Sequence, residues 1–252
     1  MTTRALGAVT QAWPWARSEH GHLPVVLVAL TVVTGVVDAV SYLALGHVFV
    51  ANMTGNVVFL GFALAGAPGL SASASLTALG SFLLGALAGG RIAIWSGEHR
   101  GRHLRTATTI AATTVLLAAA LAAIFGQPVS EAARYALIVP LAIAMGIQNA
   151  TARRLAVPDL TTTVLTLTLT GIAADSRLAG GTGGHPARRL IAVTAMFAGA
   201  LLGALLVIHV DLVLPLAIAA VVIAASALGA ERLSSVSSSD QARPSPSRPR
   251  LA

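Results

Sequence analysis

Long apolar runs separated by short polar stretches dominate the chain. The hydrocarbon core of a bilayer is about 30 Å thick, and a helix of about 20 apolar residues crosses it. Four runs reach that length, and two more are slightly short or polar at their ends. The six runs are Leu23–Leu45, Ser73–Trp95, Thr106–Phe125, Tyr135–Asn149, Leu190–His209 and Leu212–Gly229. The pattern therefore predicts an all-α polytopic membrane protein with six transmembrane helices.

Two further apolar stretches, Val57–Gly66 and Val164–Ala174, are only ten and eleven residues long. A helix of that length reaches about halfway through a bilayer, so each stretch is either a short span or the half-helix of a re-entrant loop. If only the six long runs cross and the N-terminus is cytoplasmic, every arginine except Arg134 lies on the cytoplasmic side. Because this distribution obeys the positive-inside rule, we predict two re-entrant half-helices and two cytoplasmic termini.

The composition agrees with a membrane protein. Hydrophobic residues make up 56% of the chain and charged residues 10%, with a mean hydropathy of +0.81. The net charge of +7 comes from scattered arginines with few aromatics, so we expect no nucleic-acid partner. Without cysteine, the chain has no disulfide, thiolate nucleophile or Cys-type zinc site. The sequence contains no P-loop, metal-ligand helix motif or Gly-x-Ser-x-Gly element, so we expect no ATP coupling, enzyme activity, cofactor or metal.

The two halves of the chain contain similar segments in the same order. Gly35–Ala39 resembles Gly146–Ala150, a polar patch precedes each short apolar stretch, and a pair of glycines four residues apart follows in each half. Three matches in register indicate a duplication. Because each repeat holds three spans, an odd number, the second repeat must lie upside down relative to the first. The predicted parts are a cytoplasmic segment, two membrane repeats and a disordered cytoplasmic tail, at residues 1–22, 23–125, 126–230 and 231–252.

The glycine pairs are Gly85/Gly89 in the second span and Gly199/Gly203 in the fifth. Small residues at this spacing let helices approach closely. We expect them to bring the second and fifth spans together within one chain, and the alternative is a homo-oligomer formed through either pair. The basic stretches Arg100–Arg105 and Ala187–Arg189 are expected to contact anionic membrane lipids.

The run from Gly35 to Asn56, with its Asn52-Met-Thr-Gly-Asn56 element, resembles the signature of the YoaK family of bacterial membrane proteins. The stretch from Gly146 to Gly171 resembles the same signature, and the resemblance extends from about Leu23 to Gly229. The family is defined by a domain of unknown function. The resemblance therefore implies a multi-pass protein of the bacterial cytoplasmic membrane and supplies no substrate or catalytic residue.

Asp38 is the one acidic residue in the middle of a predicted span. A carboxylate there costs about 2.5–3.5 kcal/mol on insertion scales, so it must face a partner or a water-filled cavity. One interpretation is a coupling site for protons or a monovalent cation. The other is that Asp38 accepts hydrogen bonds from the region of Asn52 or Thr54 and pins the re-entrant loop.

The remaining candidates lie at the predicted starts of the half-helices and opposite Asp38. Asn, Thr and Gly residues suit helix N-caps, and two half-helices starting near the midplane would aim their positive ends at one site, suited to an anion or a solute that needs donors. The alternative is capping without a ligand. Gln148 and Asn149 take the place of Asp38 in the second repeat, and the alternative to a solute contact is a structural role in hydrogen bonding between helices. The candidate pathway residues are Asp38, Asn52, Thr54, Asn56, Gln148, Asn149, Thr161, Thr162 and Thr163.

These features favour a transporter or facilitator of a small, unidentified solute with a site at the membrane midplane. A passive channel, a structural or assembly subunit and, last, an intramembrane enzyme are the alternatives. A cavity touching Asp38, Asn52, Asn149 and Thr161–Thr163 would favour transport, and a solidly packed interior around Asp38 would favour a structural subunit.

Overall fold

The computed structural model describes residues 23–97, 99–156, 165–181 and 186–241, with side chains described as far as residue 228. The regular elements of these segments are helical. They are α1 (Leu23–Ala44), α2 (Met53–Leu64), α3 (Ala72–Ser96), α4 (Arg100–Phe125), α5 (Glu131–Leu155), α6 (Leu165–Ala174), a 3₁₀ turn (Arg177–Ala179), α7 (Pro186–His209) and α8 (Val213–Gln241).

Five of the helices in the described segments, α1, α3, α4, α5 and α7, are long and apolar enough to cross a membrane. They contain the first five predicted spans apart from Leu45, which follows the end of α1. The sixth predicted span is helical as well, but its described apolar part, Val213–Leu228, is shorter than the other five. The two short apolar stretches correspond to α2 and α6, and both are helices. The all-α polytopic architecture is therefore confirmed.

The ends of the helices follow local chemistry. Ser71 and Ser130 cap α3 and α5, because each side chain accepts a hydrogen bond from the amide three residues later. α4 ends before Gly126, whose φ of 66° suits a residue without a side chain. α8 continues to Gln241, so the predicted start of the tail at residue 231 lies inside a helix. Residues 230–233, Ala-Glu-Arg-Leu, are good helix formers, which accounts for the extension.

α2 leaves and rejoins the bundle at one end. Just after α1, a Cβ added to Gly46 would lie 3.0 Å from Nη1 of Arg134, in the first turn of α5. At the start of α3, the hydroxyls of Ser73 and Tyr135 are 2.8 Å apart, and Tyr135 also lies near the start of α5. α1 therefore ends where α3 begins, and α2 does not cross the bundle.

The opposite end collects the arginines. Arg100, at the start of α4, donates to the carbonyl of Leu155 at the end of α5 over 2.8 Å. α7 runs parallel to α1, because Gly199 packs on Val32 and the later Gly203 on the later Val36. Because α1 ends where α5 begins, α1 starts at the end where α5 finishes. The parallel helix α7 starts at that same end, so α6, which connects α5 to α7, does not cross the bundle. Nine of the ten arginines between residues 23 and 228 lie on segments at this end, which we call the arginine-rich end.

Glycines allow the closest contact between α3 and α5. A Cβ at Gly85 would overlap the backbone carbonyl of Ile143, and one at Gly146 would overlap the carbonyl of Phe82. Gly89 lies one turn further along the same contact. Only residues without a side chain fit at these positions, as is common where membrane helices approach closely.

α1 and α7 meet in the same way. A Cβ at Gly199 would overlap the carbonyl of Val32, and one at Gly35 would overlap the carbonyl of Met196. The α3–α5 contact and the α1–α7 contact match residue by residue. In α5, Ile143 and Gly146 lie 111 positions after Val32 and Gly35 of α1. In α7, Met196 and Gly199 lie 114 positions after Phe82 and Gly85 of α3.

The prediction that the glycine pairs join the second and fifth spans is wrong. The second span, α3, packs on the fourth, and the fifth, α7, packs on the first. The glycine spacing marks a close contact, but it carries no information about the partner helix. Since a helix of the same chain fills each glycine face, a second copy would have to use another surface, and the homo-oligomer stays a prediction.

Candidate functional site

Asp38 faces the segment that joins α1 to α2. Its carboxylate oxygen Oδ1 accepts hydrogen bonds from the backbone amides of Val50 at 3.1 Å and Ala51 at 2.9 Å, and all three residues are buried. Asp38 lies six residues before the end of α1, which is about 9 Å along the helix axis. Because the amides of Val50 and Ala51 reach back to Asp38, the chain turns back by about that distance before it starts α2.

Asn56 holds the same segment from the other side. Its Oδ1 accepts from the amide of Phe49 at 2.8 Å, and its Nδ2 donates to the carbonyl of Phe49 and contacts Sδ of Met53. The side chain is fully buried. One amide thus satisfies both backbone polar groups of Phe49, which have no helical partner at this point.

The predicted capping role of Asn52 is wrong. Asn52 occupies the N-cap position of α2, but its side chain makes no capping hydrogen bond, and Thr54 is exposed. The backbone amides just before α2 are bound instead by Asp38, a carboxylate next to the positive end of the helix dipole. Because the carboxylate already lies at this helix start, the chain itself supplies the anion that the sequence led us to expect from a ligand.

An aromatic cluster at the same place has no counterpart in the sequence predictions. The ring of Phe49 stacks on Tyr42 and on Phe59, with centroids 5.1 and 5.6 Å away. A Cβ at Gly55 would lie 2.6 Å from Cδ2 of Phe49, so this glycine makes room for the ring. The three aromatics come from α1, the loop and α2, and no helical period relates them. The glycine within Asn-Met-Thr-Gly-Asn was the available signal of a close contact.

Gln148 lies in a second polar cluster at the centre of the bundle. Its Nε2 donates to the carbonyl of Leu30 at 3.2 Å and to Oγ1 of Thr34 at 2.9 Å. Its Oε1 is buried without a hydrogen-bond partner among the described residues. Gln148 borders a narrow space, lined also by Thr108 and Thr151, that is too small for a water molecule.

The central cluster joins the two halves of the chain. Gln148 and Thr151 belong to α5, Thr34 to α1 and Thr108 to α4, while Ile223 of α8 closes the narrow space. The hydroxyls of Thr108 and Thr151 donate to carbonyls of their own helices, at 2.6 and 2.8 Å. Among the side-chain polar atoms of the described cluster, Oε1 of Gln148 is therefore the one without any hydrogen-bond partner. A buried acceptor in that state costs about 1–3 kcal/mol.

Asn149 points away from the central cluster. Its Nδ2 donates to the carbonyl of Met145 at 2.9 Å, and the half-buried side chain borders an open cleft of about 980 Å³ between α3 and α5. Neither Asp38 nor Asn52 lines this cleft. Thr161, Thr162 and Thr163 lie outside the described residues.

The described candidate residues thus occupy three places: the loop pin at Asp38 and Asn56, the central cluster at Gln148, and the cleft at Asn149. The interpretation of Asp38 as a pin for the loop agrees with its contacts, with backbone amides as donors in place of the predicted side chains. Within the described segments, no group of three His, Asp or Glu side chains could hold a metal ion.

The long apolar helices, the short helices that do not cross the bundle, and the buried polar groups between helices define a polytopic membrane protein. The model for the family described as "Protein of unknown function (DUF1275)" matches residues 26–229, and the chain belongs to this family. It is 34% identical over 146 residues to the UPF0700 transmembrane protein YoaK of Bacillus subtilis (strain 168). That alignment covers 58% of this chain and 64% of the relative, less than two thirds of the relative's length. No solved structure matches the chain. The resemblance to the YoaK family is confirmed.

Proposed function

We propose that the chain is a transporter or facilitator of a small solute, built from two inverted repeats of three spans and one re-entrant half-helix each. The observation that carries the proposal is the residue-by-residue match between the α3–α5 and α1–α7 contacts. Further contacts match when each of the helices α1–α4 is paired in order with its counterpart among α5–α8. The contact of α2 with α3 then corresponds to that of α6 with α7, and the contact of α4 with α5 to that of α8 with α1. Inverted repeats are typical of secondary transporters, whose sites lie where the repeats meet.

The arginine-rich end supports the orientation within this proposal. Positively charged loops stay in the cytoplasm during insertion. Because α1 starts and α8 finishes at the arginine-rich end, the proposal includes cytoplasmic N- and C-termini in the bacterial plasma membrane. α2 then enters from outside and α6 from the cytoplasm.

We place the solute pathway at the central cluster around Gln148. Helices of both repeats meet there, and the buried Oε1 is available to accept a hydrogen bond from a solute. The described side chains lining this space carry no charge, which favours a small neutral solute with hydrogen-bond donors. The structure is closed at this point, as expected for one state of an alternating-access cycle. The proposal includes no catalytic activity.

Two threonines of α4 provide a matched pair for the test. Thr108 is buried beside Gln148, and Thr113 is exposed on the same helix, but both hydroxyls donate to the carbonyl four residues earlier. The purified chain in proteoliposomes would be assayed by stopped-flow light scattering with glycerol and urea, and by a pH-sensitive dye for protons. We expect Gln148→Leu and Thr108→Val to change the flux at least severalfold and Thr113→Val to leave it unaltered. Flux equal to protein-free liposomes for every probe would contradict the proposal.

A structural or assembly subunit is the second candidate. The closed centre and the use of Asp38 and Asn56 as loop pins favour it. In that case Thr108→Val should alter the stability of the protein without any effect on permeability, so the same variants separate the two functions.

A further inference from the structure

A pocket of about 250 Å³ lies at the arginine-rich end of the bundle, away from the central cluster. The end of α3, the first turn of α4 and the end of α5 meet there. Its lining residues are Ala93, Gly97, Arg100, His103, Arg154 and Leu155.

His103 is the least expected member of this lining. Its side chain is only 3% exposed, and neither Nδ1 nor Nε2 has a hydrogen-bond partner among the described residues. The carbonyl of Ile92 faces the ring but does not meet hydrogen-bond geometry. Buried polar groups in folded proteins are almost always paired, so this imidazole requires a partner that the pocket beside it has room to hold.

The other polar groups of the pocket are positively charged. Arg100 is held at the rim by its hydrogen bond to the carbonyl of Leu155, and Arg154 interacts electrostatically with His103. The first turn of α4 contains no acidic residue, and the side chain of its N-cap, His99, forms no capping hydrogen bond. The amides of that turn therefore add a positive partial charge at the same place.

We propose that this pocket binds an oxyanion of the phosphate class. Guanidinium groups match phosphate oxygens in geometry as well as charge, and the imidazole N–H adds a buried donor. More than one cation faces the pocket, and none of its described lining residues is acidic, so a multiply charged anion fits better than a neutral solute. The phosphate can belong to the headgroup of a phospholipid or be free in solution, because the pocket opens at an end of the bundle. The inference does not depend on the transport proposal.

The test uses the full-length chain in detergent and isothermal titration calorimetry. Sodium phosphate is one probe, and dioctanoyl phosphatidylglycerol, compared with dioctanoylglycerol, is the other. We expect Arg154→Gln and His103→Leu each to weaken binding about tenfold or more, the loss expected when a hydrogen bond to a charged group is removed. The control is Arg153→Gln, which removes the same charge from an exposed neighbour that does not line the pocket. It should change the affinity less than about twofold.

Each outcome has a definite meaning. Binding of free phosphate with no gain for the phospholipid identifies a soluble ligand, and tighter binding of phosphatidylglycerol than of dioctanoylglycerol identifies a headgroup. Equal losses in Arg154→Gln and Arg153→Gln would mean that only general surface charge acts, and would overturn the proposal. So would a lack of binding to either probe. His103→Leu should unfold at the same temperature as the unaltered protein or a higher one, because it removes two unpaired buried nitrogens, and this separates lost binding from lost folding.

Discussion

Replacement of Asp38 should release the loop between α1 and α2 to a degree that depends on the substituted side chain. Asp38→Ala leaves the amides of Val50 and Ala51 buried without acceptors. At about 1–3 kcal/mol for each unsatisfied group, these two amides cost about 2–6 kcal/mol. Asp38→Asn keeps an acceptor at the Oδ1 position and gives up only charge assistance, about 1 kcal/mol for each of two bonds.

A second effect offsets the loss in both variants. The carboxylate costs about 2.5–3.5 kcal/mol within the membrane, and either substitution removes most of that cost. For Asp38→Asn the two effects are of similar size and opposite sign, so we expect it to be nearly neutral. Asp38→Ala should be less stable than Asp38→Asn by as much as about 4 kcal/mol, because its two amides lack any acceptor. If Asp38 served in ion coupling and not as a pin, both variants would leave the loop in place.

The assay exploits the lack of native cysteine. A single reporter, Ala51→Cys, lies in the buried part of the loop, and Thr54→Cys is the exposed control. With Asp38→Ala, maleimide labelling of the Ala51 reporter should accelerate by tenfold or more, while the Thr54 reporter reacts at an unchanged rate. Slow labelling of the Ala51 reporter with either residue at position 38 would refute the reasoning, as would an equal effect of Asp38→Asn and Asp38→Ala.

The glycine contacts and the course of the chain lead to two further predictions. Gly85→Leu and Gly199→Leu should destabilise the protein by similar amounts of about 3 kcal/mol or more in detergent unfolding, because each drives a side chain into a facing backbone, whereas Gly80→Leu meets nothing within 4 Å and should cost less than about 0.5 kcal/mol. A Gly85→Leu variant as stable as Gly80→Leu would exclude the close contact. Single cysteines replacing exposed Ala65 and His99 should react with an impermeant maleimide from opposite faces of the membrane, outside and cytoplasmic respectively. Labelling of both from one face would contradict a re-entrant α2.

The helices of this fold follow from composition because a bilayer dictates their length. Within the described residues, the apolar runs extend at most two residues beyond the observed helices, and the distribution of arginines predicts that α2 and α6 do not cross the bundle. Six crossings and eight crossings place the loop at residues 97–105 on different sides, so the arginines distinguish between the two topologies. Charge therefore carried topological information that the length of a ten-residue apolar stretch lacks.

Contacts between helices were less predictable, for reasons visible at particular residues. Gly85 and Gly199 mark close approach, yet the partners they meet, Ile143 and Val32, are ordinary apolar residues with no distinguishing pattern. Asp38 binds backbone amides, and every residue except proline has one. The sequence could therefore predict that a partner for the carboxylate exists, but not where it lies.

The two buried polar residues of matching spans differ in how fully the structure accounts for them. The cost of burying the carboxylate of Asp38 is offset by charge-assisted bonds to two amides, worth about 1.5–3 kcal/mol each, so no bound ion is required to explain it. Gln148 is a neutral amide, which is common between membrane helices, but its Oε1 has no donor among the described residues. Buried polar groups without a partner are rare in folded proteins. The neutral glutamine is for this reason a better candidate than the acid for the residue that meets a solute.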